Sequence, residues 1–389
     1  MQEDFHYYAT YAAAYLAGYS HEESCAVCYS AQFVDLCTRT FLSRVKGPLN
    51  AATTQLSMEM MDADTNTVGL QDITRIWASF HFLPRDLYAT KKHVTKRYLR
   101  KYRLICGPNG ELLKDTVELA KDSSLQAAGI AMHVLADTWA HRNFAGTPSL
   151  VINNTDSYFY EIFTDGTEKK INFRHTTAPD DVEKGQYTAS IYQGNENSIM
   201  NLGHGRAGHL PDYSFIRYKY LPAWGGYEEI IKDNPTDYYK AFRQMIHAMQ
   251  YIRGDISEFK TDYYDGTKAD DHSEKIHAII EKRQVSASED WKAFGESLSG
   301  KKIPDFSIET YIGEYADTAE DEKNDTFLGR FFISALAQKS MVTNRIFSSG
   351  NKLAGYSIEY KKGQLSGIND YKMMAKALEN ERKGESADE

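Results

Sequence analysis

Apolar residues recur at helical spacing through most of the first ~145 positions. Tyr7, Tyr11, Tyr15 and Leu16 share one face, and Ala12-Ala13-Ala14 leaves room for a close neighbour. Gly18 ends that helix. Ser20 with Glu23 forms a capping box, so a second helix is predicted from there to Gly47-Pro48. Further helices are predicted over Leu70–Phe82, Tyr88–Ile105, Leu112–Lys121 and Ser124–Phe144, with Gly107-Pro108-Asn109-Gly110 as a turn. The pattern then shortens. Ser149–Ile152, Tyr158–Phe163 and Lys170–Phe173 read as strands, the last two joined by a hairpin at Asp165-Gly166. Helical periodicity resumes near 238–253, 272–285, 288–298 and 325–347.

The expected fold is mainly α, a multi-helix bundle with a small β insertion. Residues 1–148 form the helical core, 149–200 the β-rich insertion, and 201–380 a loop followed by helices that complete the fold. The charged segment 381–389 lacks apolar anchors and is expected to fray.

Composition narrows the class. A chain of 389 residues exceeds the ~250–300 that one simple core usually fills, so an appended element or second domain is expected. A hydrophobic share of 42% with 13% aromatics excludes a disordered chain. The net charge of −9 argues against bulk, non-specific nucleic-acid binding. No run approaches the ~20 apolar residues of a membrane span. Met1-Gln2-Glu3-Asp4-Phe5-His6 has neither a basic nor an apolar signal region, so a cytoplasmic location is expected. Cys25, Cys28, Cys37 and Cys106 do not make a secreted disulfide framework, and Cys25 and Cys28 read as core packing on a helix.

The chemistry concentrates in Leu125–His141. This helix is apolar almost all round, so it is expected to be buried, yet it carries His133, Asp137 and His141. At about 100° per residue, steps of four keep all three on one face. Burying them unpaired would cost several kcal/mol, and a divalent metal is the simplest partner. A lone His-x-x-x-Asp suits a hydrogen-bonded structural pair equally well; the third group on the same face favours metal. Asp35 sits in the apolar run Gln32–Cys37, His81 follows Ile76–Phe80, and His204 and His209 lie in a glycine-rich segment ending at Asp212. Taken singly, each has a structural reading.

An Asp in an early apolar helix, then a His, then His-x-x-x-Asp with a further His and a downstream Gly-His segment, resembles the zinc-dependent phospholipase C and single-strand-specific zinc nuclease superfamily. The opening Asp4–Tyr8 and Ser30–Asp35 also resemble a bacterial branch known only as a domain of unknown function. The resemblance covers residues 1–215 and implies helices around a cleft holding two or three zinc-like ions. It implies Asp35, His81, His133 and Asp137 at a first metal, with Asp137 bridging. It implies His141 and His204 at a second metal, closed by His209 or Asp212, and His6 at a third. It further implies hydrolysis of a phosphoester by metal-activated water, with Asp35 orienting that water or taking its proton.

The basic stretch Lys91–Arg103, interleaved with Tyr98 and Tyr102, fits an anionic substrate, but a solvated helix face is the favoured reading. Lipid, nucleotide and nucleic acid stay open as substrates, as does oligomeric state. The competing reading is a non-catalytic binding or scaffold protein that keeps a structural metal cluster. Gly295–Lys301 imitates a phosphate loop, but Lys302 replaces the required Ser or Thr and no strand precedes it.

Overall fold

The computed structural model describes residues 1–189, 196, 198–264, 267–355, 359–361 and 364–366; the segment 381–389 lies outside them. The fold is mainly helical with a small antiparallel sheet. No helix among the described residues is long and apolar enough to cross a membrane.

The axis of the molecule is the central helix Leu125–Ala140, buried from Gln126 onward. Ser124 caps it by accepting from the Ala127 amide. The helices His21–Phe33, Thr67–Phe80, Glu111–Ala120, Asn234–Arg253 and Phe327–Ser348 surround it. Gly129 explains the closest of these approaches. A Cβ there would lie 2.4 Å from the Val27 carbonyl oxygen and 2.5 Å from the Ser30 Cβ, so only glycine lets His21–Phe33 pack this tightly. One hydrophobic core runs from Phe5 through the central helix to Ile346, joining N-terminal and C-terminal helices.

The N-terminal helix begins as a π-helical turn, Asp4–Ala9, and continues as Thr10–Leu16. The capping box forms as expected, with Ser20 and Glu23 exchanging hydrogen bonds of 2.8 and 3.2 Å. The helix it starts does not run to Gly47. It stops at Phe33, and a separate helix, Arg39–Val45, begins behind the Thr38 cap. Thr53 crosses the break, its side chain and amide binding the freed carbonyls of Val34 and Cys37 at 2.6 and 2.9 Å. Asp35 therefore sits in a turn, not in mid-helix. The basic stretch is also shorter than its periodicity predicts, helical only over Lys96–Tyr102 behind the Thr95 cap.

Four strands form one sheet in the order β2-β1-β3-β4: β1 Thr155–Ile162, β2 Glu168–Lys170, β3 Arg217–Pro222 and β4 Ile230–Asp233. The hairpin at Asp165-Gly166 pairs Ile162 with Glu168. Half of the sheet comes from residues beyond 200, which the sequence reading placed in a loop. β3 pairs with β1 through Glu161 and Tyr218, and with β4 through Tyr218 and Lys232. Its inward face, Tyr218 and Tyr220, packs with Phe144, Phe159 and Phe82 in a second core. Ser149–Ile152, expected as a strand, instead precedes and enters a helical turn, Leu150–Asn153, because the Ser149 carbonyl accepts from the amides of Ile152 and Asn153.

Candidate metal centre

His133, Asp137 and His141 leave the central helix and its C-cap on one face, as their spacing predicts. Each histidine then donates one ring N–H to a backbone carbonyl. His133 Nδ1 lies 2.8 Å from Ala31 O, and His141 Nδ1 lies 2.7 Å from His81 O. His81 Nε2 lies 3.0 Å from Thr53 O, and His204 Nδ1 lies 2.9 Å from Gly208 O. A carbonyl only accepts, so these nitrogens carry the hydrogen and the opposite nitrogens keep a free lone pair. All four free nitrogens face the same interior.

Two carboxylates collect them. Asp137 Oδ2 lies 3.2 Å from His133 Nε2 and 3.3 Å from His81 Nδ1, while its Oδ1 lies 3.2 Å from His6 Nε2. Asp212 Oδ1 lies 3.2 Å from His141 Nε2 and 3.7 Å from His204 Nε2. Asp35 approaches from the turn, with Oδ1 at 3.7 Å from His81 Nδ1 and 3.9 Å from His133 Nε2. Three sets bring their ligand atoms within 4.8 Å of one another: His6, His133 and Asp137; Asp35, His81 and His133; and His141, His204 and Asp212. Each can hold a metal ion, but the first two share His133 Nε2, a single donor, so only one of them can use it at a time.

The residues of these sets are among those the sequence singled out, but Asp137 groups with His6 and His133, not with Asp35 and His81. His6 joins His133 and Asp137, its ring stacked on His133 at 3.8 Å, and does not stand apart at a third position. His209 is 59% exposed, with Nδ1 3.5 Å from Asp212 Oδ2, so it borders the site while Asp212 supplies the inner oxygen. The amino nitrogen of Met1 also reaches the interior, 2.8 Å from Asp137 Oδ1 and 3.3 Å from His141 Nε2.

The chain matches DUF6765, a family of unknown function, over residues 1–346. It belongs to that family. Every residue of the three sets lies within the matched span. Neither the comparison with curated proteins nor that with solved structures gave a match.

The electrostatics of this DUF6765 chain suit cation ligands. Burial lowers the pKa of His6, His133 and His204 to about 4, so each imidazole is neutral at pH 7 and free to coordinate. Burial alone would raise Asp137, but its neighbours, His141 and the Met1 amine foremost, outweigh it and hold the carboxyl well below its usual range. Asp212 is likewise held well below its usual range against burial, with the Met1 amine among the causes. Asp35 is pushed up by burial. Both ring nitrogens of His6, and Asp137 Oδ2, are buried without a hydrogen-bond partner among the described residues. Buried polar atoms are normally satisfied, and a cation would satisfy these.

Several residues that build the site carry no motif. Asn153 Nδ2 donates to the carbonyls of Ala145, Thr147 and Asn201 at 3.1, 2.8 and 2.6 Å, tying the segment before His204 to the end of the central helix. Asn234 Nδ2 donates to Leu210 and Tyr213 carbonyls at 2.8 and 2.7 Å and so fixes the turn that presents Asp212. Lys232, fully buried, donates to the Trp139 and Ala140 carbonyls at 2.8 and 3.1 Å and pairs with Asp237 at 2.9 Å. It caps the helix end beside His141. Gly203, at φ +55, leaves space that the Phe82 ring fills; that ring stacks on His141 at 4.7 Å. A buried Asn or Lys in a polar-looking segment was the only sequence signal for these roles.

Next to the second set a cavity of about 620 Å3 opens, walled by Trp77, Phe82, Ile199, Leu202, His204 and His209. The basic stretch does not border it as a free cationic patch. Lys101 and Arg97 both engage Glu196, Arg103 donates to the Ala89 carbonyl and Lys91 to that of Trp224.

Proposed function

We propose that this protein is a metal-dependent hydrolase of phosphoester bonds, with two or three zinc-like ions in one cleft. The observation that carries the reading is the set of four histidines whose outer N–H groups are each locked on a carbonyl while their inner nitrogens converge on Asp137 and Asp212. Carbonyl-bound outer nitrogens are the usual support of metal-ligating histidines. His and carboxylate donors suit zinc. Asp35, His81, His133, Asp137 and His6 would hold the ions on one side of Asp137, and His141, His204 and Asp212 would hold one on the other.

Adjacent ions supply Lewis acidity and charge neutralisation at a phosphoryl group. The chain supplies the rest. Asp35 keeps 29% of its side chain exposed and is the carboxylate positioned to hold a water and accept its proton at a carboxylate oxygen. The cavity beside His204 gives a substrate access, which favours catalysis over a purely structural cluster, since structural sites are closed.

The test is elemental analysis of the purified protein together with a panel of phosphomonoesters, phosphodiesters and phospholipids. More than one zinc-like ion per chain and turnover abolished by Asp35→Asn are expected. A metal-replete protein that turns over none of the panel supports the scaffold reading instead, and a metal-free protein rejects both.

A further inference from the structure

A second cleft, also about 620 Å3, lies behind the end of the central helix, and the metal reading makes no use of it. Four aromatic side chains contribute to its lining, Tyr102, Trp139, Trp224 and Tyr264, with Trp139 itself buried. Its charged groups are Arg85, Arg142, Lys240 and a single carboxylate, Asp86. Among the described residues neither Arg85 nor Lys240 has an ion-pair partner. Arg142 Nε reaches Asp237 at 3.2 Å, but Asp237 already pairs with Lys232, so one carboxylate serves two cations and a positive charge is left over.

The walls are held in place before any ligand arrives. Trp139 Nε1 donates to Gln244 Oε1 at 2.8 Å, Gln244 Nε2 donates to Asn109 Oδ1 at 2.9 Å, and Asn109 Nδ2 donates to the Tyr264 hydroxyl at 2.7 Å. On the other side Trp224 Nε1 donates to the Asn143 carbonyl at 3.2 Å. Asn109 and Asn143 both adopt positive φ, 65° and 80°, conformations that cost energy and here shape the two rims. Lys240 Nζ sits 6.0 Å from the Trp139 ring, which combines a cation with an aromatic face.

Rigid aromatic side chains in the lining offer stacking, and an excess of cations offers anion binding. We propose that this cleft binds a planar heteroaromatic ring bearing a phosphate, the chemistry of a nucleotide. The volume is within the usual range for such small ligands. None of its lining residues belongs to the three ligand sets, and the proposal does not rest on hydrolysis there.

The test uses the intact protein and adenosine monophosphate, followed by calorimetry and by fluorescence of Trp139 and Trp224. Saturable binding with a Kd below about 1 mM is expected. The double variant Arg85→Gln, Lys240→Gln should weaken it at least about tenfold, since each lost charge-assisted contact removes a strong hydrogen bond. His204→Ala, which alters the metal cleft, should leave it unchanged. Inorganic phosphate should compete at least about tenfold more weakly, because it cannot stack. A single-stranded hexanucleotide distinguishes sources: displacement of the mononucleotide assigns the ring to a strand, and no displacement assigns it to the free nucleotide. The proposal is overturned by no saturation, by binding that survives the double variant, by loss on His204→Ala, or by phosphate competing as tightly as the nucleotide.

Discussion

His133 has no choice about which nitrogen faces inward, because Ala31 O takes the hydrogen of Nδ1. It also belongs to two of the three ligand sets, whereas the exposed His209 belongs to none. His133→Ala should therefore reduce metal content on one side of Asp137 and lower turnover at least about a hundredfold, as loss of a metal's support typically does. His209→Ala should leave metal content unchanged by elemental analysis. Equal metal loss in both variants would show that the grouping is wrong. Lys232 gives a pH prediction. Burial lowers its ammonium from 10.5 to about 8, against the pull of Asp237. Between those values the unfolded chain holds a proton that the folded chain has shed, so this group makes stability rise with pH across that window. Lys232→Met should remove the rise. The stability gap between wild type and variant in urea melts should widen in favour of wild type as pH climbs from about 8 to about 10.

At the scale of elements, the contact between His21–Phe33 and the central helix depends on Gly129. Gly129→Val would drive a branched side chain into the Val27 carbonyl and Ser30. A loss of about 1–3 kcal/mol is expected, read as a lower urea midpoint at unchanged m-value. Because Ala31 on that helix holds His133, weaker metal retention should accompany it. The same pair of helices shows where periodicity misleads. An apolar pattern from Ser20 to Gly47 predicts one helix, but Thr38 offers a cap and Thr53 binds the exposed carbonyls, so the chain breaks. That break presents Asp35 to the histidines. The strand β3 shows the reverse case: alternation in Arg217–Pro222 is present in the sequence but short, and β1 and β4 on either side give it its hydrogen bonds.

At the scale of the molecule, the ligands come from the first turn, the Val34–Leu36 turn, the end of Thr67–Phe80, the central helix and its C-cap, and the segment between β2 and β3. An ion bound among them ties these parts together and stabilises only the folded chain. Chelation should lower the melting temperature, and restoring metal at ~1,000 times its Kd should return about 4 kcal/mol. A melting curve indifferent to chelator would argue against ions at these positions. The core that frames the ligands is continuous from Phe5 to Ile346, so the C-terminal helices complete the same body as the N-terminal ones.

The sequence by itself determined the central helix, its burial and the common face of His133, Asp137 and His141, because a 3.6-residue period leaves little alternative. It also singled out the remaining donors as anomalies: a carboxylate in an apolar run, a histidine at a helix end, histidines among glycines. It did not determine how these donors group, which of His209 and Asp212 turns inward, or which ring nitrogen each histidine offers. Those follow from contacts between residues far apart in the chain, such as His141 with the carbonyl of His81 and Asn234 with the turn before Asp212. Local periodicity carries no information about such contacts; only packing the helices and the sheet together creates them.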